Sequence, residues 1–470
     1  MRTRASAVVL VLATSIQVHA QKFIYGNEQR ASWLTETSPD YRHAPPEAVE
    51  RWKDRKFGLR IHWGLYSMVG SDASWALPPS SPEFRSIYGT LYQFFNPSDF
   101  DADQWTDLMT QAGIKYFTFT TKHHDGFSMY ATKTVRPSLR LAPKDVRSGI
   151  RHYEKCLIPY SIMDTPFGRD VLSELAASAH RKSLGISLYF SHIDWQDDAY
   201  GWDPNNFHYD PRFTKQSDPA RWAKFVQQER DQVRELLSGY GAIDACEFDI
   251  GWPKEAAEDI AGVARLARKL QPSALLRNRG IGVYGDFYTP EREIPPGFNR
   301  DSPWQAIYPG GEAFSYFPND IYKPAEWIID TLVDVVAKGG NFEVGYGPMP
   351  NGTWQKPVVE RLREVGKWLE VNGEAIYATR PFSDFKEGDN VRFTSSKDGE
   401  TLYLITLKWP DRELRTKSAK LSKGDEITML GVPGKVMWRP EGDQAVISVP
   451  RPSTKPCDYA WVFRIRRARH

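Results

Sequence analysis

Polar residues follow several short apolar runs of this chain, at the points where those runs end. These polar stretches are 62–63, 122–125, 249–252 and, after Arg277-Asn278-Arg279, 286–293. They contain histidines, carboxylates and aromatic rings, which can bind a polar ligand and exchange protons with it. Because the parallel strands of a barrel end at one face, side chains that follow different strands meet there. The sequence therefore predicts one polar site built from several strand ends.

The spacing of these residues disfavours other kinds of chemistry. His123-His124-Asp125 invites a metal interpretation, but adjacent histidines on a strand point in opposite directions, and ligands from one element usually follow spacings such as H-x-x-x-H. The chain has no G-x-S-x-G elbow for a nucleophilic serine, no P-loop, and no G-x-G-x-x-G after a strand. We therefore expect no metal and no cofactor. The remaining set of carboxylates, histidines and aromatics is typical of glycoside hydrolysis, although spacing alone does not select the catalytic pair.

Strand-like and helix-like patterns alternate from about residue 55 to about residue 345. Residues 59–63, 116–120, 186–190, 245–249 and 341–344 have the composition of buried strands. Between them, apolar residues at helical spacing predict helices near 105–112, 222–239 and 328–336, the first started by Asp101 or Asp103. This alternation predicts an α/β fold, a (β/α)8-like (TIM) barrel, with a doubly wound open sheet as the alternative.

The end of the chain has a different pattern. Short alternating strands, such as 391–394, 402–406 and 459–463, are separated by Gly, Asp and Pro. This spacing predicts a C-terminal antiparallel β-sandwich at 376–470, after a catalytic barrel domain at 21–375. The basic, proline-interrupted segment from Thr134 to about Pro159 is interpreted as an insertion in the barrel.

The first twenty residues have the features of a signal peptide. Arg2 and Arg4 precede a short apolar run at 7–13, and Val18-His19-Ala20 offers small residues for cleavage before Gln21. The alternative is an ordinary N-terminal helix. We expect an exported protein, periplasmic or extracellular, with no membrane span, because no other apolar stretch is long enough.

The composition excludes several classes of protein. The chain has 470 residues, with 61 Lys and Arg against 59 Asp and Glu, so a nucleic-acid binder with a basic stripe is not expected. The hydrophobic content of 41% is enough for a large core. Three cysteines allow at most one disulfide, which excludes a disulfide framework. The 16 Trp and 22 Tyr suit carbohydrate stacking, although they also fill ordinary cores.

Several ordered motifs resemble the α-L-fucosidases of glycoside hydrolase family 29. The opening stretch 57–67 and the stretch Thr121-Lys122-His123-His124-Asp125-Gly126-Phe127 are similar to the most recognisable motifs of that family. The remaining matches follow in the family's order at 164–170, 189–195, 248–253, 285–291, 338–341, 347–348 and 372–377. The resemblance covers roughly residues 45–385, and it implies a retaining exo-glycosidase acting on a fucosylated oligosaccharide or glycoconjugate.

The resemblance also implies roles for individual residues. Asp249 matches the nucleophile, and Glu291 matches the general acid/base, with Glu293 as the fallback because this motif varies. A retaining pair should stand about 5–5.5 Å apart. The residues that match sugar-binding positions are His62, Trp75, His123, His124, Tyr189, Arg279 and Phe314, the last as an apolar wall near the sugar's methyl group.

Two departures from the family pattern affect the expected substrate. Glu247 stands where the family often has Trp, and Ser74-Trp75 replaces a common Glu-Trp pair. Glu247 shares a strand face with Asp249, so it is expected to bind substrate, and an α-L-galactosidase of the same fold and mechanism is the alternative to an α-L-fucosidase. The alternative is an ion pair between Glu247 and Arg60. A glycan-binding protein without turnover is the remaining alternative, and the two retained carboxylates argue against it.

Overall fold

The computed structural model describes residues 34–142, 152–200, 202–203, 208–209, 215–252, 254–297 and 303–468. The predicted signal peptide at 1–20 lies outside this part of the chain. The described strands, numbered in chain order, are β1 Phe57–Ile61, β2 Tyr116–Lys122, β3 Arg136–Leu141, β4 Tyr153–Ile158, β5 Gly185–Ser191, β6 Trp202–Asp203, β7 His208–Tyr209, β8 Ala245–Asp249, β9 Leu275–Leu276, β10 Gln305–Pro309, β11 Asn341–Tyr346, β12 Arg380–Glu387, β13 Val391–Ser395, β14 Thr401–Thr406, β15 Glu413–Thr416, β16 Glu426–Met429, β17 Lys435–Val436, β18 Trp438–Glu441, β19 Gln444–Ser448 and β20 Trp461–Arg466.

Seven of these strands form one parallel sheet in the order β10-β11-β1-β2-β5-β8-β9. Every residue of β1, β2, β5, β8 and β11 is buried. Strands covered on both faces need continuous apolar or internally paired side chains, which explains the strand-like runs of the sequence. The predicted α/β fold is confirmed in the form of a curled parallel sheet.

An irregular segment, 287–291, lies between the two edge strands of this sheet. Phe287 is bridged in parallel to Arg277, just after β9, while Tyr288 and Glu291 are bridged to Trp304 and Ile307 at β10. Backbone hydrogen bonds accompany both sets of bridges, including Ile307 N–H to the Pro290 carbonyl at 3.1 Å. The segment therefore occupies the place of an eighth strand and joins the edges of the sheet.

Helices cover the outside of the sheet at the predicted positions. Asp101 caps the helix Ala102–Gln111 by accepting a hydrogen bond from the Gln104 N–H at 2.9 Å. Asp218 caps the helix Pro219–Gly239 in the same way. The described α-helices are Pro39–Arg42, Pro46–Arg55, Tyr66–Val69, Pro82–Tyr88, Ala102–Gln111, Val171–Arg181, Pro219–Gly239, Ala257–Leu270, Ala325–Ala337 and Lys356–Asn372. Short 3-10 helices lie at Ala73–Ala76, Leu91–Gln93, Ile162–Asp164, Lys254–Ala256, Gly282–Tyr284 and Gly373–Ala375.

The C-terminal strands form two antiparallel sheets, as the alternating pattern predicts. Their orders are β12-β13-β14-β20-β16-β17 and β15-β19-β18. Phe393 and Phe463 of the larger sheet share one apolar core with Leu414 and Ile447 of the smaller sheet. This arrangement is a small β-sandwich. It packs on the barrel through contacts such as the ion pair of Arg392 with Asp334 at 2.6 Å.

Three further features bear on the expectations from sequence. The predicted insertion contains the antiparallel hairpin β3–β4, and residues 143–151 between its strands lie outside the described part. Cys156, Cys246 and Cys457 are all free thiols. None of the helices in the described ranges is long and apolar enough to cross a membrane.

Candidate active site

The carboxyl ends of the barrel strands bring most of the predicted site residues together. His62 comes directly after β1, His123 and His124 directly after β2, and Asp249 is the last residue of β8. Tyr189 lies in β5, beside Glu247 in the register of the sheet. Because all these strands are parallel, their ends open on one side of the molecule. The site is therefore built by long-range packing of side chains from different strands.

Asp249 is the most heavily contacted carboxylate of this site. Its Oδ2 accepts a hydrogen bond from the Tyr189 hydroxyl at 2.6 Å and lies 4.0 Å from His124 Nε2. Its Oδ1 accepts a hydrogen bond from Arg279 Nη1 at 3.1 Å and lies 3.8 Å from Arg277 Nη2. Burial raises the pKa of Asp249, but the charges of Arg279 and Arg277 outweigh it and hold that pKa well below its usual range. Asp249 is therefore ionised, as a nucleophile requires.

Glu291 lies on the irregular segment 287–291, across from Asp249. Its Oε2 accepts a hydrogen bond from the same Arg279 Nη1, again at 3.1 Å. Because these two oxygens each lie 3.1 Å from one nitrogen, they are at most about 6.2 Å apart, which is compatible with the separation of about 5–5.5 Å between the carboxyl groups of retaining glycosidases. The Glu291 side chain is 16% exposed, so water and a leaving group can reach it.

Glu293, the fallback for the acid, has a different position. It is exposed, and its charge helps to raise the pKa of Tyr308, after the larger effect of burial. Arg292, which separates the two glutamates, has a φ of 56° and pairs with Asp72 at 3.2 Å. This turn directs Glu291 to Arg279, so the geometry favours Glu291 over Glu293.

The three histidines are oriented by hydroxyl groups at their Nδ1 atoms. His62 is paired with Thr120 at 2.6 Å and His124 with Ser191 at 2.6 Å. The hydroxyl of Ser74 contacts Nδ1 of His123. A ring fixed at Nδ1 presents its other nitrogen to a fixed point, which suits hydrogen bonds to sugar hydroxyls.

Burial keeps these histidines neutral. It lowers the pKa of His62 and His123 well below the usual value, and the positive charge of Arg60 adds to the effect at His62. Burial also lowers the pKa of His124, to about 4, although the charge of Asp249 opposes it. A neutral imidazole can both donate and accept a hydrogen bond, as a sugar hydroxyl can.

Aromatic rings form the walls around the histidines. The Tyr189 ring stacks on His123 with centroids 5.5 Å apart, and Phe314 meets His62 edge-on at 5.8 Å. Trp75 is 38% exposed and packs edge-on against His124 at 5.3 Å. A half-exposed indole beside a polar cluster is a suitable stacking surface for a carbohydrate.

Glu247 is buried away from these rings and paired with Arg60, which argues against the prediction that it contacts the sugar. Its side chain is enclosed in the barrel, where it pairs with Arg60 and accepts a hydrogen bond from Gln305 Nε2 at 3.1 Å. Thr118 also approaches it, at 3.2 Å. The ion pair with Arg60 is therefore the interpretation that the geometry supports. A carboxylate satisfied by buried partners has no reason to face a ligand.

Several residues of the site were missed by the sequence reasoning. Ser74, Thr120 and Ser191 orient the histidines, and Trp195 packs against both Trp75 at 5.2 Å and His124 at 4.9 Å. Ser191 and Trp195 belong to the stretch 189–195, so its resemblance to the family was the available signal. For Thr120 the signal was its place two residues before the polar stretch 122–125. No three His, Cys, Asp or Glu side chains in the described ranges form a group that could hold a metal.

Comparisons with known proteins agree with this architecture. The chain is 25% identical to the tissue alpha-L-fucosidase of Homo sapiens over 502 aligned residues, which cover 99% of this chain and 98% of the relative. It is 27% identical to the tissue alpha-L-fucosidase of Mus musculus, over 92% of this chain and 94% of the relative. Among solved structures, alpha-L-fucosidase isoenzyme 1 from Paenibacillus thiaminolyticus superposes with a TM-score of 0.74 at 26% identity, covering 89% of this chain and 98% of that one.

Two family models match almost the whole described chain. The alpha-L-fucosidase C-terminal domain matches residues 386–466, the region of the β-sandwich. The alpha-L-fucosidase model matches residues 27–374, which include every strand of the parallel sheet and every residue of the site. The chain therefore belongs to the α-L-fucosidase family of glycoside hydrolases.

Proposed function

We propose that this protein is a retaining exo-α-L-fucosidase that releases terminal α-L-fucosyl residues from fucosylated glycans or glycoconjugates by double displacement. In the first step Asp249 attacks the anomeric carbon, and the glycosidic oxygen leaves with the proton of Glu291. In the second step Glu291 takes a proton from water, whose oxygen displaces Asp249 from the anomeric carbon.

The observation that carries this proposal is the double contact of Arg279. One nitrogen lies 3.1 Å from an oxygen of Asp249 and 3.1 Å from an oxygen of Glu291. An inverting enzyme needs room for a water molecule between its carboxyl groups, about 6.5–9.5 Å. The shared arginine limits the two oxygens that it contacts to a separation of at most about 6.2 Å, which supports direct attack by Asp249.

The neighbouring side chains suit a terminal deoxy-sugar. The neutral rings of His62, His123 and His124 can donate and accept hydrogen bonds with hydroxyls on one edge of the sugar. Phe314 is 6% exposed and offers an apolar surface beside His62, where a C6 methyl group can pack. Trp75, at the open side, is placed to stack on the sugar or on the group attached to it.

The position of Glu247 favours L-fucose over L-galactose. A preference for L-galactose would rest on a carboxylate near C6 of the sugar, where the extra hydroxyl binds. Glu247 is instead paired with Arg60 inside the barrel. With Glu247 away from the site, the L-galactosidase alternative loses the residue on which it rested.

We also propose that the protein is exported, to the periplasm or the extracellular space. The support is the sequence of residues 1–20, with two arginines, a short apolar run and small residues at the cleavage position. N-terminal sequencing of the protein from the exported fraction of its producing cells tests this, and Gln21 is the expected first residue. A chain that retains Met1 would contradict the proposal.

The decisive experiment replaces the nucleophile. Asp249→Ala should lower kcat on an aryl α-L-fucoside by about 10³-fold or more, because no glycosyl-enzyme can form. Azide should restore part of the turnover and give β-L-fucosyl azide. The matched control is Asp244→Ala, since Asp244 precedes the same strand at its other end and binds Arg55 at 2.7 Å. Near-normal activity of Asp249→Ala, or loss of activity in both variants, would contradict the assignment.

A further inference from the structure

Arg277 lies between the carboxylates of Asp249 and Glu247 and is almost fully buried. Its Nη1 is 3.5 Å from Glu247 Oε2, and its Nη2 is 3.8 Å from Asp249 Oδ1. Its side chain is 1% exposed. Among the described residues, Nε and Nη2 of Arg277 have no hydrogen-bond partner. A buried cation thus holds an unused N–H beside the proposed nucleophile.

Glu247 fixes the other end of Arg277 from inside the barrel. The side chains that face Glu247 come from five neighbouring elements and are Arg60, Thr118, Ser187, Arg277 and Gln305. Glu343 belongs to the same cluster, because its Oε2 lies 2.9 Å from the Arg60 Nη2 that also pairs with Glu247. With so many partners Glu247 cannot move without breaking several buried contacts, so it is a rigid anchor for the guanidinium.

We infer that Arg277, held in place by Glu247, makes Asp249 a better leaving group in the second displacement, and that Glu247 is a positioning residue for this effect. This inference rests on the proposed function, because it assumes a covalent glycosyl-enzyme on Asp249. It assigns to Arg277 a role that differs from that of Arg279. Arg279 contacts both carboxylates, whereas the ion pairs of Arg277 are with Asp249 and Glu247.

The two steps respond to this cation in opposite ways. In the first step the Asp249 carboxylate loses its negative charge as its oxygen bonds to the anomeric carbon. In the second step that bond breaks, and its electron pair returns to the carboxylate as the water oxygen bonds to carbon and Glu291 accepts the proton. A fixed positive charge 3.8 Å away opposes the first step and assists the second.

The test is the variant Arg277→Met on an aryl α-L-fucoside with a good leaving group. We expect kcat to fall about tenfold or more, with KM falling in parallel, so that kcat/KM is unchanged or higher. A burst of aryl alcohol, equal to the enzyme concentration, should precede the steady state. Methanol, as a competing nucleophile, should then raise the steady rate. A fall in kcat/KM without a burst would overturn the inference.

Companion variants separate the electrostatic effect from simple damage. Glu247→Gln keeps an oxygen for Arg277 but removes the opposing charge, so kcat/KM should fall without any burst.

The double variant Arg277→Met with Glu247→Gln preserves the net interior charge, and it should show the burst of Arg277→Met even if the single variant does not fold. If the soluble double variant gives no burst, the inference is wrong. As a control, Arg268→Met removes another buried arginine, paired with Asp286 at 2.8 Å, and should lower Tm without a burst and without the parallel fall in kcat and KM.

A separate measurement distinguishes this inference from the proposed function. Wild-type protein is incubated with 2-fluoro-fucosyl fluoride, and the labelled peptide is identified by mass spectrometry. Absence of a label on Asp249 contradicts the proposed function itself. A label on Asp249 together with no accumulation in the Arg277→Met variants contradicts only the role of Arg277.

Discussion

At the scale of single residues, Arg279 connects the two proposed catalytic carboxylates. Its Nη1 donates to both of them, and its Nη2 donates to the Thr289 carbonyl at 3.3 Å. The carbonyl belongs to the same irregular segment as Glu291, so the guanidinium fixes the acid through the backbone as well as through the side chain. Bidentate anchoring of this kind explains why a lysine would not be equivalent here.

The choice between the two glutamates can be tested through leaving-group dependence. Glu291→Ala should slow hydrolysis of a natural fucosylated disaccharide by about 10²–10⁴-fold, because its sugar leaving group needs a proton. An activated aryl α-L-fucoside, which needs little protonation, should be affected much less in the first step. Steady-state kcat/KM on both substrates measures the difference. Glu293→Ala is the matched control, and finding this signature in Glu293→Ala alone would reverse the assignment.

The enclosure of Glu247 leads to a prediction about specificity. Glu247→Gln should leave the ratio of kcat/KM for aryl α-L-fucoside to that for aryl α-L-galactoside unchanged within about twofold, since a residue that does not contact the sugar cannot discriminate between the two sugars. Both values are expected to fall together. A shift of tenfold or more in the ratio would mean that Glu247 does interact with the substituent at C6 of the sugar.

At the scale of elements, the turn after β8 holds Asp249 against the segment after β9. Ile250, directly after Asp249, has a φ of 52°, which is uncommon for a β-branched residue. Gly251 then passes so close to Gly280 that an added Cβ would lie 2.6 Å from the Gly280 Cα. This contact brings the strand end that carries Asp249 next to the segment that carries Arg277 and Arg279.

Gly251→Ala should therefore disturb both stability and catalysis. The added Cβ would clash with backbone atoms of Gly280, which cannot move aside as a flexible side chain can. The segments that carry Gly251 and Gly280 must therefore separate, which lowers the free energy of unfolding by about 1–3 kcal/mol. We expect kcat to fall together with Tm as Asp249 moves away from Arg279. The control is Gly239→Ala, where an added Cβ meets nothing within 4 Å and stability should change by less than about 1 kcal/mol. Normal kcat in Gly251→Ala would show that this contact does not position Asp249.

At the scale of the whole molecule, the barrel encloses ionisable groups that an unfolded chain would expose to water. His124 is the clearest case, because burial lowers its pKa to about 4 in the folded protein, against an ordinary value of 6.5. Between pH 6.5 and about 4, His124 binds a proton in the unfolded chain but stays neutral in the folded protein. Stability is therefore lost as pH falls from 6.5 towards 4, and this residue contributes about 3 kcal/mol to the loss.

Denaturant unfolding at pH 7.0, 5.5 and 4.5 measures this dependence. The wild type should lose stability steadily over that range, and His124→Asn should lose less because one buried imidazole is absent. His152→Asn removes an exposed histidine and should follow the wild type. An unchanged slope in His124→Asn would mean that His124 titrates normally in the folded protein.

The sequence by itself determined the fold class and the polar end of the barrel. Local signals were sufficient for this, because buried strands need continuous runs and helices begin at capping residues such as Asp101. The motifs around His123-His124, Asp249 and Glu291 carried the family resemblance, which selected the proposed catalytic pair where spacing alone could not. These inferences use information within a short stretch, so no knowledge of neighbouring elements was needed.

Only the tertiary structure decided where Glu247 points and which carboxylates Arg277 lies beside. Period-two alternation places Glu247 and Asp249 on one face of β8, but Glu247 lies two residues, or about 7 Å, deeper in the barrel. At that depth its neighbours are Arg60 and Gln305, which lie 187 and 58 residues away in the chain. The order of strands brings them together, and a single sequence does not reveal which opposite charges meet inside a closed sheet. The position of the irregular segment 287–291 could not be predicted from the sequence for the same reason, because its bridges depend on both edge strands of the sheet.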